Sequence, residues 1–563
     1  MKNLQRILFC AVLLLSFISF KSFAQAPEWE WAKSAGGNRR DCGNSIATDN
    51  EGNVYVTGYF NSSSITFENV TLNSSNQDNN GTFFLVKYDK KGNVLWVKSA
   101  IDNNLGSRSN SVITDADRNI YITGTFYGAS ITFGGITIQN FNSNTSDIFV
   151  VKYDTDGNAL WAKSAGGLGG DEGSSITVDS NRNVYITGFF HTYPITIGTT
   201  TLSNSGDADI FIAKYDSNGN FIWAQSAGGE KHESGNAIIT DSSGNIYVAG
   251  TFSNTFINFA TDTIFNNTPG GSMDIFVAKF NSKGTVLWTK SIGGYANDNT
   301  AGIGIDNSNN FYITGYFSNT FITIENDTLF NAGKEDIFIV KYDVDGNKIW
   351  AQSTGGTESD VGSDITFDNE GNVYLGGWFS SKIIFGNIEL NNTKFGSSDL
   401  FIVKYDTQGK VLWAKSVGGN SFEGLGDIEL DTSSNIYITG IFDSPIINFG
   451  KYSLSSEGPS NMIGSGNVFI AKLGTSITDI TELHNESVPN IFPNPTASQF
   501  HIANLEPGNW TITIYTLDGQ SVFKKELTEA DAMIDLSGKA KGAYVYRLLK
   551  DGEVFKSGKL LLE

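Results

Sequence analysis

The sequence predicts an all-β chain: a seven-bladed β-propeller followed by a small C-terminal β-sandwich. Seven tryptophans, Trp31, Trp96, Trp161, Trp223, Trp288, Trp350 and Trp413, recur at intervals of 65, 65, 62, 65, 62 and 63 residues. That period is too long for a coiled coil or a helical solenoid and suits one four-stranded blade per repeat. Between the tryptophans, period-2 alternation rich in Val, Ile, Tyr, Thr and Phe is cut by Gly/Asn/Asp/Ser turns, with no helical period. After Gly474 the repeat stops and short alternating strands with Gly and Asp turns suit a small sandwich.

Residues 1–24 read as an export signal: Lys2 and Arg6, an apolar run from Ile7 to Phe20, then Ser22-Phe23-Ala24. The run is shorter than the ~20 residues that a membrane span needs. Cleavage is placed after Ala24, since cleavage after Ala26 would leave Pro27 at the new N-terminus. Removal takes away Cys10 and leaves Cys42 unpaired, so cohesion is expected from packing rather than from a disulfide. The formal charge of −21 becomes −24 without Lys2, Arg6 and Lys21. Such acidity argues against nucleic acid or anionic lipid as a partner and for solubility or cation binding. No other apolar run is long enough to cross a membrane.

The propeller is expected over residues 28–474. In its first unit strand A is read at Asn44 to Asp49, B at Asn53 to Phe60, C at Phe83 to Asp89 and D at Asn93 to Ser99, with an extra hairpin around Ile65 to Leu72 between B and C. Strand B repeats Tyr at 55, 121, 185, 247, 312, 374 and 437, and Phe at 60, 126, 190, 252, 317, 379 and 442. Strand C repeats Phe at 84, 149, 211, 276, 338, 401 and 469. Both faces of a middle strand are buried between neighbouring blades, so these rings read as wedge-filling core. A glycine recurs in mid-strand B, from Gly58 to Gly440, and implies a bend or a close backbone approach at one depth of every blade. Seven A strands are present, but the last C strand, Asn467 to Leu473, has no D strand after it. The segment 29–34 is a D strand with no blade before it and is expected to complete the last blade, removing an open sheet edge.

Residues Gly166 to Asp179 followed by NRNVYITGFF resemble the bacterial seven-bladed propeller repeat often called SBBP, a likeness running from Glu28 to Gly474. It implies a fold and no single activity. Residues 475–488 read as a polar linker. Residues 489–563 resemble the C-terminal sorting domain of the type IX secretion system of Bacteroidetes, through Pro493-Asn494-Pro495, Tyr515, Gly519-Gln520, Asp535-Leu536, Lys541-Gly542 and Tyr544. The resemblance implies the type IX machinery as a partner and a secreted or outer-membrane-surface location after passage through the periplasm.

Candidate chemistry is sparse. Five residues before each strand-A aliphatic lie Asp41, Ser107, Asp171, Glu233, Asp298, Asp360 and Glu423. The six carboxylates are expected in the loops around one mouth of the channel, where they would either hold a cation such as Ca²⁺ or each brace its own loop by accepting backbone N–H bonds. The DTDGN and DVDGN segments at 154–158 and 343–347 read as tight turns rather than calcium loops. His191 and His232, the two histidines of the propeller region, sit in no motif with a nucleophile, and Cys42 reads as a small buried residue. No HExxH, P-loop or dinucleotide fingerprint is present. The favoured function is a non-catalytic module binding an extracellular glycan or protein through the variable aromatics Tyr59, Phe189, Tyr316 and Trp378 or through the B–C hairpins. The alternative is a secreted polysaccharide-active hydrolase or lyase whose paired carboxylates come from different blades.

Overall fold

The computed structural model describes residues 26–562 apart from 75–79, 103–104, 268–271, 319, 457–465, 475–489, 493–495, 497, 504, 506–507, 517–519, 528–531 and 552. The expected export peptide, the linker, Pro493-Asn494-Pro495 and Gly519 lie outside the described residues. The chain divides into two compact units, Met1–Ser476 and Ile477–Glu563. All regular structure among the described residues is β, and no helix there is long and apolar enough to cross a membrane.

In the first unit the described strands form seven antiparallel four-stranded arrangements, ordered A-B-C-D. In blade 1 these are Asp41–Thr48, Val54–Phe60, Thr82–Tyr88 and Val94–Ser99. Blades 2 to 6 occupy residues 107–167, 171–227, 233–292, 298–354 and 360–417. Blade 7 takes A, B and C from residues 423–473 and its fourth strand from Trp29–Ala35, which pairs antiparallel with Asn467–Leu473, Ala32 opposite Ala471. The A strands pack side by side, and that of blade 7 also packs against that of blade 1. There Ser45 Oγ donates to Asp427 Oδ2 at 2.7 Å and Thr48 Oγ1 to the Leu430 carbonyl at 2.9 Å. The B–C hairpins lean on the preceding blade: Ile195–Ile197 pairs with the D strand Ala159–Gly167.

The recurrent rings fill the wedges. Each of the seven strand-B phenylalanines and seven strand-C phenylalanines is buried, and each strand-B tyrosine is buried with its hydroxyl satisfied. Tyr55 OH donates to Asp49 Oδ2 at 3.0 Å, and its six counterparts donate to Asp115, Asp179, Asp241, Asp306, Asp368 and Asp431. The same aspartate closes the A–B turn: Asp49 Oδ1 accepts the N–H groups of Glu51 and Asn53, both at 2.9 Å. Residues 154–158 and 343–347 do the same at C–D turns, with Asp154 accepting from Asp156 and Asn158, and Asp343 from Asp345 and Asn347. The mid-strand glycine has a specific cause. Strand A bulges between Gly43 and Ser45, opposite Gly58, where a Cβ would lie 2.0 Å from the Cys42 carbonyl oxygen.

The tryptophans do more than fill space. Trp96 Nε1 and Lys87 Nζ both donate to the Thr155 carbonyl in the C–D turn of the next blade, at 3.2 and 3.0 Å. Trp161 and Lys152 do so to Ser217, Trp223 and Lys214 to Ser282, and Trp350 and Lys341 to Thr407. Trp31 of blade 7 donates to the Lys90 carbonyl of blade 1. The turn glycine of the receiving blade lies against the indole, as Gly219 does on Trp161.

The second unit holds two sheets. One contains Asn490–Phe492, Gln499–Ala503 and Ala532–Asp535; the other contains Ser521–Leu527, Trp510–Thr516, Gly542–Lys550 and Glu553–Leu562. Phe500 and Ile534 of the first share one core with Ile512, Ile514 and Leu548 of the second. The Asp535 carboxylate accepts from Gln499 Nε2 and the Ser537 N–H, and Tyr544 OH donates to the Ala540 carbonyl, so these two resemblance-bearing residues pin turns.

Two glycines isolate the contribution of the turn-on-indole contact. Gly219 and Gly244 share a φ of +77°, but a Cβ at Gly219 would sit 2.7 Å from Trp161 while at Gly244 the nearest atom is 3.9 Å away. Gly244→Ala is expected to cost the ~1 kcal/mol of a left-handed alanine, and Gly219→Ala a further ~1–3 kcal/mol of overpacking. Chemical denaturation of the two variants measures the difference, and equal losses would contradict the contact.

Candidate functional site

Asp41, Asp171, Glu233, Asp298, Asp360 and Glu423 each open an A strand of a different blade, and each is buried. Asp171 Oδ2 accepts the N–H of Gly167, the last residue of strand D, at 2.8 Å, and Glu233 Oε2 that of Gly229 in the D–A loop at 2.8 Å, each donor four residues upstream. Asp298, Asp360 and Glu423 accept from Gly294, Gly356 and Gly419 in the same way. Asp41 accepts from Gly37 likewise, and in addition from the Asn61 and Ser62 N–H groups and from Ser62 Oγ. Each carboxylate thus braces its own loop. No three of them fall within ligating distance of one another among the described residues, so the structure does not gather them into one cation site.

Sequence reading missed their partners. Strand C of five blades carries a second buried acid at its first or second residue, Asp147, Asp209, Asp274, Asp336 or Asp399. Each raises the pKa of the strand-A acid of the following blade: Asp147 that of Asp171, Asp209 that of Glu233, Asp274 that of Asp298, Asp336 that of Asp360 and Asp399 that of Glu423. At the other two interfaces the partners are Thr82 with Ser107 and Asn467 with Asp41, so two carboxylates never face each other there. Burial first, and then the neighbouring carboxylate, pushes Asp171, Glu233, Asp298 and Glu423 up to about 8. Burial likewise pushes Asp147 and Asp274 up to about 7. A signal was available: an acid begins five of seven strand-C motifs, but at a strand start it reads as turn chemistry.

The central channel, a cavity of about 420 Å³, is lined by the A strands. The position after each bulge is Ser45, Ser111, Ser175, Ala237, Gly302, Asp364 and Asp427 around the ring. Ser45, Ser111 and Ser175 accept the N–H of Val112, Ile176 and Ile238 in the next blade. Asp427 does so for Ile46, at 2.9 Å. Asp364 is hydrogen-bonded to Asp427; burial and then this neighbour raise its pKa. Cys42 is half-buried and burial pushes its thiol up to about 11, far from nucleophilic ionisation.

The four aromatics stand at one register position, one residue before the buried strand-B phenylalanine, and are half-buried. They do not converge: no ring contact joins any two of them among the described residues. The Arg108 guanidinium covers Tyr59 at 4.6 Å, Asn299 Nδ2 donates to Tyr316 OH at 3.4 Å, and Phe189 packs on His191 and His232 at 5.2 and 5.6 Å. Trp378 lines a cleft of about 610 Å³ shared by the loops of blades 5, 6 and 7. Phe422, just before strand A of blade 7, meets Trp378 edge-on at 5.9 Å. Phe395, in the B–C loop of blade 6, is 88% exposed beside it. Ser380, Ser397 and Asn420 line the cleft, with the Lys334–Glu358 ion pair, N to O 2.6 Å, on its wall. Phe395 and Phe422 were not read as site residues, because nothing in their segments repeats.

Two family models match the chain. The model described as a secretion system C-terminal sorting domain covers residues 490–563, and the beta-propeller repeat model matches residues 30–65 and 160–188. The chain carries both. It is 25% identical over 512 residues to an uncharacterized WD repeat-containing protein, L264, of Acanthamoeba polyphaga mimivirus, covering 74% of this chain and 36% of that protein. It is 24% identical over 358 residues to the regulatory protein FlaEY of Caulobacter vibrioides, covering 60% of this chain and 36% of that one. The chain thus spans about a third of the length of these curated relatives. Among solved structures, Sqt1 from Chaetomium thermophilum aligns at 9% identity and a TM-score of 0.38 over 74% of this chain and 97% of that one.

The carboxylate pairs make a pH prediction. Their folded pKa values lie above those of the unfolded chain, so the folded state holds their protons more tightly. The stability they contribute is full below the ordinary carboxylate range and is lost as pH rises through about 7 to 8. The melting temperature is expected to fall between pH 5.5 and 8.5. Asp274→Asn with Asp298→Asn should reduce that fall by on the order of 1 kcal/mol, a tenfold difference in proton affinity between folded and unfolded chain being about 1.4 kcal/mol. An identical slope in parent and variant would remove this pair as its source.

Proposed function

We propose that this exported, sorting-domain-bearing propeller is a non-catalytic module of the cell surface or the secreted fraction, and that it binds a glycan in the Trp378 cleft. One observation carries the reading: an asymmetric cleft in an otherwise repetitive scaffold, lined by three aromatic side chains, Trp378, Phe395 and Phe422, together with residues that carry hydroxyl and amide groups. Apolar ring faces receive the C–H faces of a sugar while hydroxyls and amides exchange hydrogen bonds with its rim, the composition expected of a small-ligand site. Phe395 has almost no intramolecular contact to maintain.

The channel chemistry supports binding over hydrolysis. Asp364 and Asp427 do come from different blades, but they are hydrogen-bonded to each other. Glycoside hydrolases hold their two carboxyl groups roughly 5–9.5 Å apart, leaving room for a sugar carbon or a water. Asp427 is further committed to Ser45 and Ile46. The sorting domain supports delivery by the type IX machinery.

A glycan array with a reducing-end release assay on the exported chain tests the reading. Binding without release is expected. Phe395→Ala and Trp378→Ala should each weaken it by about thirtyfold, the ~2 kcal/mol of a binding hot spot, with the melting temperature unchanged for Phe395→Ala. Release of reducing ends, or binding indifferent to both substitutions, would overturn it. Separately, removal of residues 490–563 is expected to leave a folded propeller in the periplasm of its native host. Surface or medium localisation of the truncated chain would contradict the delivery route.

A further inference from the structure

We propose that His191, Asp207 and His232 form a binding site for a divalent transition-metal ion of the Zn²⁺ class. The three supply two imidazole nitrogens and a carboxylate oxygen that all lie within 4.8 Å of one another, the one such group of three among the described residues. They come from three segments that the fold pins together. His191 ends strand B of blade 3, Val184–His191, and pairs with Ala208. Asp207 immediately precedes strand C, and the Asp207 and Ala208 N–H groups both donate to the Lys231 carbonyl, at 3.2 and 3.1 Å. His232 immediately precedes strand A of blade 4 and makes a parallel bridge with Ala208. The backbone therefore presents the donors before any ion arrives.

The side chains are poised in the same sense. The imidazoles stand 5.6 Å apart between centroids, tilted by 37°, and Phe189 packs on both, restricting their rotation. His191 Nδ1 lies 3.3 Å from the Asp207 carbonyl oxygen and 3.8 Å from Asp207 Oδ1. The His232 ring makes no hydrogen bond among the described residues. With metal–donor bonds of about 2.0–2.2 Å, a tetrahedral site needs donors ~3.3 Å apart. The donors, within 4.8 Å of one another, must therefore draw in when an ion binds, the 66% exposed Asp207 and the part-exposed imidazoles each adjusting.

Nitrogen donors set the class of ion. Two imidazoles with one carboxylate suit Zn²⁺, Co²⁺ or Fe²⁺ rather than Ca²⁺ or Mg²⁺, which take oxygens. Three protein ligands leave a coordination position for water or for a donor from a bound molecule. The equivalent positions elsewhere do not repeat the set: blade 4 has Ser253 and Ser272 with Asn297, and blade 2 has Tyr127 and Thr145 with Gly170. Shared scaffold chemistry therefore does not account for it.

Titration of the full exported chain with Co²⁺, followed by its visible ligand-field bands, and calorimetry with Zn²⁺ test the proposal. One equivalent is expected at high affinity, with the intense bands of a four-coordinate ion. His191→Gln and His232→Gln should each lose more than the ~10-fold that removal of even an outer-sphere partner costs, and Asp207→Asn should weaken binding less. His501→Gln, in the second unit, should bind as the parent does. Melting in chelator keeps the test clear of misfolding: His191→Gln, a partly exposed change, should melt with the parent there and fail to gain the metal-dependent rise. No binding by the parent, or binding that survives both propeller histidine substitutions, would overturn the proposal.

Discussion

A single peptide carbonyl in the C–D turn of each receiving blade is the point on which the ring turns. In four interfaces it accepts from a lysine and a tryptophan of the preceding blade, as Thr155 does from Lys87 and Trp96. The lysine is buried, lies over the strand-B tyrosine ring at 5.1 Å, and is held below its usual range by that burial. The A–B turn aspartate acts in the opposite sense, and in blades 5 and 6 it forms a direct ion pair, Lys341–Asp306 at 3.3 Å and Lys404–Asp368 at 2.9 Å. Hydrogen bonds to a charged group contribute about 1.5–3 kcal/mol each, and leaving such a buried ammonium unpaired costs more. Blade spacing, turn type, tyrosine and tryptophan are thus one mutually dependent set, repeated.

The set explains where the pattern gives way. Blade 7 has no C–D hairpin, because its fourth strand is Trp29–Ala35, so blade 6 has no turn carbonyl to hold. Lys415 of its D strand reaches the Pro27 carbonyl instead, at 2.7 Å, and Lys472 of blade 7 pairs with Glu30. Trp31 then makes the same bond to blade 1 that an internal tryptophan makes to its successor. The segment before the first full repeat is consequently shaped as the missing fourth strand of the last one.

How much of this was legible in the sequence depended on whether the physics repeats. The tryptophan period, the strand-B and strand-C rings and the mid-strand glycine recur with fixed spacing, and each reports a buried or sterically tight position. The lysine at 87, 152, 214 and onward recurs as faithfully, yet a lysine in a strand reads as solvent-facing until a neighbouring blade supplies its carbonyl. The strand-C acids were hidden likewise, since pairing lies between blades and not within the repeat. The carboxylates that did stand out, Asp171 and its counterparts, recur because a loop needs bracing in every blade.

Recurrence therefore marks scaffold, and two corners depart from it. Among the described residues of the propeller, isolated parallel bridges occur at Ala208 with His232 and at Ser398 with Phe422, so the same backbone junction is built between blades 3 and 4 and between blades 6 and 7. Its four variable positions carry Phe189, His191, Asp207 and His232 at one corner, and Trp378, Ser380, Ser397 and Phe422 at the other. An aromatic floor is common to both. Above it one corner presents nitrogen and carboxylate donors, and the other hydroxyls and a second ring. The junction itself is held by backbone bonds, and the side chains at these positions differ between the two corners. These positions vary from blade to blade, while the lysine, tyrosine and tryptophan set that joins one blade to the next recurs around the ring.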